Sequence, residues 1–558
     1  MRIARSFTLL LAIACIALCA RAQNSGKNSP DEPARAGSTN ATADAAKPAD
    51  AAPSKATVPV AATREEVEQL RMEVAELKAE LHRLLEAKAQ PAAAAAPTSA
   101  KAETTVAGGP ATAVMAQPPA QPGSTADAAD AEPISLVQPT QAAAQKGGLP
   151  VTAGWNGEHF FIQSPDGQFK IQPYGYVQTD YRSYDGDGSP ANTFTVRRAR
   201  FGFQGNYGDH WQYGILTDAA SGTGATVRDV YLNFKYNNEI QVQGGQFKEP
   251  FAQEAVAGVT NIDFVERGLQ AVLYPSAASA FRSPGIVIHG DLDGGVVQYW
   301  AGVFNGKGFT GVNNTTSVPE TVGRLRFYPF RKHKGSLFEA FAFGGSIAYS
   351  YARGLSGEVT PNVTEPDGAF TFFPQFRVNG NVWRYEGEFT FLKGPWAFRD
   401  EYVQAMFDRT GVGTLQFGGL GFQNLPTVRF RAWNSSATYL LTGERRPENG
   451  TPRVKHPVFG PETPGSTGRG WGAFELAFRY SGLEGKEPGI FFNNVLTPEL
   501  VPTFNLKTDQ FSVGVNWYLN YWVRYQTNVD VNRLKDPSTI GAVPQTYLVF
   551  EQRIQFRF

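Results

Sequence analysis

The chain ends on a segment in which apolar and polar side chains alternate. Because successive side chains of a β-strand point to opposite sides, this pattern predicts a strand with one apolar and one polar face. The apolar face carries Leu548, Phe550, Ile554, Phe556 and Phe558, and only Gln552 interrupts it. The polar face carries Tyr547, Glu551, Arg553, Gln555 and Arg557. Residues 511–521 and 523–532 repeat the alternation, so several such strands follow one another.

Three features of these strands favour a membrane barrel over a soluble sandwich, whose strands also alternate. The segments are about 10 residues or longer, as a tilted membrane strand requires. Aromatic residues concentrate towards the strand ends, and the last strand stops on an aromatic where it can close a barrel. After Cys19 no run of 18 apolar residues occurs, so an exported chain of this kind spans a membrane only as a barrel. We expect an all-β fold, an antiparallel transmembrane β-barrel over 151–558.

Similar segments number sixteen, an even number as single-chain barrels require. A barrel of this size encloses water instead of a packed core. The predicted strands begin near residues 169, 193, 210, 226, 239, 283, 295, 319, 337, 380, 396, 427, 470, 508, 522 and 546. The alternation marks strand boundaries least sharply between 337 and 411.

The first 150 residues have a different character. Residues 1–22 predict a signal peptide, with Arg2 and Arg5 before an apolar run and a small-x-small cleavage site before Gln23. A lipid anchor on Cys15 or Cys19 is the alternative; both cysteines lie in this segment, so the mature chain has no thiol. Residues 23–63 and 89–150 are rich in Ala, Pro, Ser and Thr and predict disordered linkers.

Between these linkers, residues 64–88 predict a short coiled-coil helix. Apolar residues recur at alternating spacings of three and four, the a/d pattern of a coiled coil. They are Val67, Leu70, Val74, Leu77, Leu81 and Leu84. Charges at flanking positions allow Glu66 to pair with Arg71 of a parallel chain. A lone amphipathic helix is the alternative.

Two stretches resemble the porin O/P family, often called phosphate-selective porins. Residues 194–203 (FTVRRARFGF) are similar to its second-strand signature, and 245–251 (GQFKEPF) followed by 264–267 (FVER) to its entry into the third loop. The resemblance covers 151–558. It implies a homotrimeric sixteen-stranded porin of the outer membrane of a Gram-negative-type bacterium, with the N-terminal stalk in the periplasm. The third extracellular loop, here about 252–282, would fold inward and narrow the lumen.

Assigning the aromatic face outward places pairs of arginines in the lumen. Residues two apart on a strand share a face at about 7 Å spacing, so an R-x-R pair stacks two guanidiniums along the pore. The predicted inward arginines are Arg198, Arg200, Arg324, Arg326, Arg429 and Arg431. Such a ladder attracts oxyanions. In the alternative interpretation these arginines pair with wall carboxylates, and the selectivity is weak.

Three of the five charged residues in the predicted constriction loop are acidic. The acidic residues are Glu254, Asp263 and Glu266, and the basic ones are Arg267 and Arg282. The family's phosphate site combines arginines with a constriction lysine, for which Lys248 at the loop's entrance is the candidate. The proposed loop itself contains no lysine.

The residues exclude several other functions. Lys and Arg together number 51, equal to Asp and Glu, which argues against nucleic-acid binding through bulk charge. The six histidines lack metal-ligand spacing, and no nucleophile or cofactor motif is present, so we expect no metal, no cofactor and no enzyme. We expect a passive porin with a preference for small anions, including phosphate or polyphosphate. The alternatives are a non-selective or carbohydrate porin, and a barrel that anchors a periplasmic coiled-coil tether to envelope components. Outer-membrane lipid and lipopolysaccharide would surround the trimer.

Overall fold

The computed structural model describes residues 151–558 except for a series of short gaps. The gaps are 186–189, 221–223, 307, 309–313, 315–317, 354–357, 360–362, 365–370, 374–375, 417–418, 460–464, 495–496 and 536–545. The predicted signal peptide, linkers and coiled coil therefore lie outside the described residues.

Sixteen antiparallel strands form one closed barrel. The first nine are β3 (Phe169–Asp185), β4 (Thr193–Tyr207), β5 (Trp211–Asp218), β6 (Thr226–Lys235), β7 (Gln241–Lys248), β8 (Arg282–Leu292), β9 (Val297–Phe304), β10 (Glu320–Phe327) and β11 (Ala342–Ala352). The other seven are β16 (Gly380–Lys393), β17 (Trp396–Gln416), β18 (Gly419–Leu440), β19 (Ala473–Asn494), β20 (Thr497–Tyr518), β21 (Val523–Lys535) and β22 (Thr546–Arg557).

Six short strands lie outside the barrel wall. A hairpin of β1 (Thr152–Trp155) and β2 (Phe160–Gln163) extends the sheet beside the start of β3. Between β11 and β16, β12 (Glu358–Val359) pairs with β15 (Arg377–Val378), and β13 (Val363–Thr364) pairs with β14 (Thr371–Phe373).

The last strand closes the barrel on the first wall strand. β22 pairs antiparallel with β3, with Ile554 opposite Thr179. Beyond β22, the N–H of Phe558 donates to the carbonyl of Gly175 (3.0 Å), and the N–H of Gly175 donates to the carbonyl of Phe558 (3.1 Å). The wall thus has no free edge, and the predicted all-β, sixteen-stranded antiparallel barrel is confirmed.

Most predicted strand starts lie within a few residues of the observed ones. The largest differences are β18, which begins at 419 instead of 427, and β20, which begins at 497 instead of 508. Backbone pairing continues in these extensions, for example between Gln416 and Gly419. Pairing requires only backbone groups, so a strand can extend past the end of its side-chain alternation.

The outward face of the wall is apolar, as a lipid-facing surface requires. Phe203, Phe478, Val513 and Ile554 are all more than one-third exposed. In the described part of the chain, no helix is long and apolar enough to cross a membrane. Most turns at the end that carries the C-terminus are short, for example between β16 and β17, which identifies that end as periplasmic.

Val513 tests the lipid-facing assignment. We expect Val513→Arg to destabilise the folded barrel in a bilayer by about 2–4 kcal/mol, because the charge would lie in hydrocarbon. Val513→Leu keeps the position apolar and serves as the matched control. The measurement is urea unfolding in lipid vesicles, followed by heat-modifiable gel migration. Equal unfolding midpoints for both variants would contradict the outward placement.

Candidate pore constriction

The connection between β7 and β8, residues 249–281, folds into the lumen and reaches the far wall. It contains the helix α1 (Gln253–Val256) and two 3-10 helices, Leu269–Leu273 and Ala277–Ser279. The N–H of Val265 donates to the Oδ1 of Asn528 on β21 (3.0 Å). The N–H of Leu269 donates to the Oγ of Ser481 on β19 (2.9 Å). We call residues 249–281 the constriction loop; the expected range was about 252–282.

The constriction loop carries its own apolar core. Phe251 and Leu269 are fully buried against the wall, and the ring of Phe281 packs edge-on to that of Tyr274 (centroids 5.3 Å). Ala252 and Phe281 adopt φ values of 62° and 68°, which side chains other than glycine rarely adopt. Such backbone geometry persists only where packing holds it in place. The loop is therefore a fixed part of the lumen.

One loop carboxylate, Glu266, anchors the loop to the arginines of the wall. Its Oε1 lies 2.8 Å from both Arg182 and Arg197 and 3.2 Å from Arg553, and its Oε2 lies 3.5 Å from Arg198. Burial alone would raise the pKa of Glu266, but these guanidiniums hold that pKa well below its usual value. Glu266 thus stays charged and tied to strands β3, β4 and β22.

A second loop carboxylate, Asp263, binds arginines that the sequence analysis did not assign. Arg399 on β17 lies 2.6 Å from Asp263, and Arg446 also pairs with it. Arg446 belongs to the connection between β18 and β19, residues 441–472, at the short-turn end. Burial would raise the pKa of Asp263, whereas the two arginines lower it overall. Only the tertiary fold brings these residues together, and no local pattern predicts it.

Two other predicted residues, Lys248 and Arg267, hold the loop together. Lys248 donates its Nζ to the carbonyls of Val256 (3.2 Å) and Ala257 (2.7 Å). Arg267 donates to the carbonyls of Glu254 (2.9 Å) and Ala257 (3.0 Å). These contacts fasten the start of the loop to its middle. The candidate phosphate lysine thus donates hydrogen bonds to the loop backbone.

Two further members of the predicted set are also paired. Arg282 lies in β8 and pairs with Asp229 of β6 through two bonds of 2.8 and 2.9 Å. Glu254 accepts a hydrogen bond from Gln270, and burial raises its pKa.

The structure places Arg198, Arg200, Arg324 and Arg326 on the inner face, where each meets a carboxylate. Arg198 pairs with Glu266, and Arg200 with Asp218 (2.9 Å). Arg324 binds both oxygens of Glu388 (2.8 and 2.9 Å), and Arg326 lies 3.1 Å from Glu388 and 2.6 Å from Glu448. All four side chains are 3–7% exposed. Solvent reaches little of these guanidiniums.

Two more arginines enter the lumen at irregularities of the wall. The register of β3 against β4 shifts so that Arg197 has no cross-strand partner, and the shift between β5 and β6 does the same for Arg228. A bulge of this kind turns neighbouring side chains to one side. Arg197 therefore reaches Glu266, and Arg228 reaches Asp218 (3.1 Å). Neither residue is in the set predicted from the sequence, because strict alternation points Arg197 away from the lumen when Arg198 points into it. The doublet Arg197-Arg198 is the sequence signal that could have indicated the bulge.

The prediction for Arg429 and Arg431 is wrong. Both side chains are exposed on the outer face, whereas Phe430 between them is 1% exposed and points inward. Phe430 packs against Phe407 of β17 and Phe376 of the segment before β15 (centroids 5.9 Å each). The apolar face turns inward here because a segment of the chain inside the barrel supplies an apolar partner.

Three wall carboxylates lie close together among the described residues. Glu386, Glu388 and Glu401 each place one oxygen within 4.8 Å of the others, a grouping that could hold a metal ion. However, Arg324 and Arg326 bind Glu388, and Tyr274 and Gln270 donate to Glu401. Two of the three carboxylates therefore already have partners within the protein.

A closed sixteen-stranded barrel with a polar lumen narrowed by an inward loop defines the class of porins, passive pores of the outer membrane. The family model for phosphate-selective porin O and P matches residues 171–558, and the chain belongs to this family. Its outer-membrane location and its role as a channel for passive diffusion follow. No curated protein matches the sequence.

Several solved structures of outer-membrane proteins are similar in outline. The outer-membrane channel DcaP of Acinetobacter baumannii is 13% identical, with a TM-score of 0.44 over 71% of this chain and 99% of that one. The anion-selective porin from Comamonas acidovorans is 12% identical, with a TM-score of 0.42 over 70% and 99%. OmpT of Vibrio cholerae, in its trimer form, is 13% identical, with a TM-score of 0.42 over 70% and 99%. With identities and TM-scores this low, neither the solutes nor the oligomeric state of these proteins can be assigned to this chain.

The Glu266 anchor can be tested by neutralising the carboxylate. We expect Glu266→Gln to destabilise the barrel by about 3–5 kcal/mol and to increase open-channel noise, because four guanidiniums lose a shared counter-ion. Glu339→Gln, in the exposed turn after β10, is the control. The measurements are urea unfolding in vesicles and planar-bilayer recording. A quiet channel of unchanged stability would show that the anchor is dispensable.

The difference in stability between wild type and Glu266→Gln depends on pH with a definite sign. A carboxylate whose folded pKa is depressed stabilises the fold above its unfolded pKa, near 4.5, and loses that contribution as pH falls through the folded value. We therefore expect the stability gap between wild type and Glu266→Gln to be equal at pH 7 and pH 6 and to close only well below pH 4.5. A gap that closes by pH 6 would contradict the assigned pKa direction.

Proposed function

We propose that this porin prefers small anions and that Arg197 and Arg228 set the preference. Permeating ions respond to charges that they can approach through water, since burial behind ion pairs screens a charge from the solute path. The side chain of Arg197 is 39% exposed and that of Arg228 is 16% exposed. The four buried arginines described above lie behind ion pairs and contribute mainly to the wall's structure.

The surroundings of Arg228 add to this proposal because basic groups outnumber acidic ones there. Asp218 pairs with Arg200 and Arg228, and Asp229 pairs with Arg282. Lys248 of β7 lies opposite Arg282 in the cross-strand register, so these two cations are also close together. Four basic groups therefore face two carboxylates on this side of the lumen. This local excess adds to the exposure of Arg197 and Arg228, which is the observation that carries the proposal.

A general anion preference accounts for these contacts better than a dedicated phosphate site. A saturable site requires donors that converge on the ligand without strong partners of their own. Lys248 already donates to two carbonyls, and the R-x-R pairs already bind carboxylates. We therefore expect phosphate to permeate as one anion among others.

A non-selective pore is the competing function, and the ion pairs on Arg198, Arg200, Arg324 and Arg326 favour it. Both functions share the fold and the constriction loop. They differ in whether the exposed bulge arginines dominate the field along the path. Reversal potentials in a salt gradient separate them.

The decisive variants are Arg197→Gln and Arg228→Gln, alone and together. We expect the double variant to lower the ratio of chloride to potassium permeability about twofold to fivefold, because two approachable positive charges are lost. Arg431→Gln removes the same charge from the outer face and is the matched control. Reversal potentials are measured in planar bilayers. If the double variant and the control both keep the wild-type ratio, the bulge arginines do not set selectivity.

A further inference from the structure

The misassigned arginines Arg429 and Arg431 belong to a charged region on the outer face of the barrel. Cross-strand register places Arg431 opposite Gln404 of β17 and opposite Glu484 of β19, and Glu484 opposite Lys507 of β20. One row closer to the periplasm, Asp509 lies opposite Arg533 of β21. We call Arg429, Arg431, Lys507 and Arg533 the outer basic patch.

Aromatic rings beneath the outer basic patch mark its height in the membrane. The Nζ of Lys507 lies 5.2 Å from the ring centre of Trp433, and the guanidinium of Arg533 lies 5.7 Å from that of Phe511. Both rings point outward, and Phe511 is 44% exposed. Rings at this position form the belt where hydrocarbon gives way to headgroups. The cations therefore lie at the boundary of the hydrocarbon.

The distance along β17 agrees with this height. Trp396, at the periplasmic start of β17, packs at a tilt against Tyr439 (centroids 4.3 Å, planes 38° apart) and marks the opposite belt. Gln404, in the row of Arg431, follows eight residues later, which is about 27 Å along the strand at roughly 3.4 Å per residue. With a strand tilt of about 40°, the height is about 20 Å, close to the ~25 Å apolar band of such barrels. The patch thus meets the headgroup region of the outer leaflet.

The outer basic patch has no counterpart on the described outward positions of β3 and β4 that we compare with it. At the corresponding outward positions of β3 and β4 the residues are uncharged: Thr179, Tyr181, Phe194 and Val196. Three carboxylates accompany the four cations: Glu484, Asp509 and Asp408. Asp509 accepts a hydrogen bond from Tyr480 (3.0 Å), and Asp408 accepts one from Thr427 (2.9 Å). A net positive surface at lipid headgroups is stabilised by anionic lipid.

We propose that the outer basic patch binds the phosphate groups of lipopolysaccharide in the outer leaflet. Guanidinium groups present a planar fork that matches phosphate oxygens, and Lys507 adds a point charge above its aromatic ring. The proposal depends on the outer-membrane location of the barrel and is independent of anion preference in the pore. It gives a specific partner to charges that would otherwise face lipid.

A second copy of the chain is the rival occupant of this surface. The resemblance to the porin O/P family implies a homotrimer, in which one face of each barrel would meet a different face of the next. Packing the uncharged β3–β4 face on the outer basic patch would remove four cations from water and phosphate with no new counter-ion, which is strongly unfavourable. Charge complementarity therefore favours lipid phosphate on the patch.

The test compares the full-length protein with a variant in which Arg429, Arg431, Lys507 and Arg533 are all changed to Gln. The control double variant, Lys332→Gln with Lys334→Gln, removes charge from the exposed turn after β10. The probe is purified lipopolysaccharide, used either with its lipid A phosphates or after their enzymatic removal. Binding is measured by retention on the detergent-purified porin in native mass spectrometry at increasing salt.

We expect the four-Gln variant to bind phosphorylated lipopolysaccharide at least about tenfold more weakly than wild type and the control, with all three equally weak towards the dephosphorylated probe. Wild-type affinity should also fall with salt. Undiminished binding by the four-Gln variant, or wild-type binding that ignores the phosphates, would overturn the proposal. So would loss of cross-linked oligomers with lipopolysaccharide binding intact, since the patch would then be a subunit contact.

A fold control keeps the result interpretable. Heat-modifiable gel migration reports whether the four-Gln barrel closes. If it does not, Arg429→Lys with Arg431→Lys and Arg533→Lys retains the charge but removes the planar forks. Binding that still depends on phosphate and salt in this variant supports the electrostatic assignment, and phosphate-independent binding overturns it.

Discussion

The structure depends on one constraint, that no backbone hydrogen-bonding group can face hydrocarbon unpaired. An antiparallel sheet meets this constraint only by closing, which it does where β22 pairs with β3 and Phe558 with Gly175. Closure with sixteen strands leaves a lumen wider than its own side chains can fill. This leads to a second requirement: the width of the pore must be set by a connection between strands that folds into the lumen.

The constriction loop meets that requirement and in doing so changes the chemistry of the wall. Buried guanidiniums are tolerated when carboxylates pair with them, and the loop supplies Asp263 and Glu266 for this purpose. The wall arginines and the acidic loop are therefore complementary parts of one electrostatic structure. An arginine that points into the lumen is consequently a poor guide to selectivity unless its exposure is also known.

Much of the fold could be predicted from the sequence because hydrocarbon imposes a strict period on side chains. The starts of β3, β4, β6, β16, β17 and β22 coincide with the predicted positions, where alternation begins at once. β18 and β20 start earlier than predicted because backbone pairing alone extends them. The position of the constriction loop came from resemblance. Its partners Arg399 and Arg446 could not be predicted, because they are distant in sequence and meet only inside the closed barrel.

The failures at single residues share one physical cause. Alternation divides the side chains of a strand between two faces, but it does not show which face contacts water. The groups that pack against each face determine that. Around Phe430 the lumen side is apolar because Phe376 and Phe407 pack there, so Arg429 and Arg431 face outward. At Arg197 a bulge breaks the period and brings an apparently lipid-facing cation inside. Arginine in this barrel therefore occupies three environments: buried ion pairs, partly exposed bulges of the wall, and the boundary with the lipid headgroups. Residue type alone does not separate them; only register and packing do.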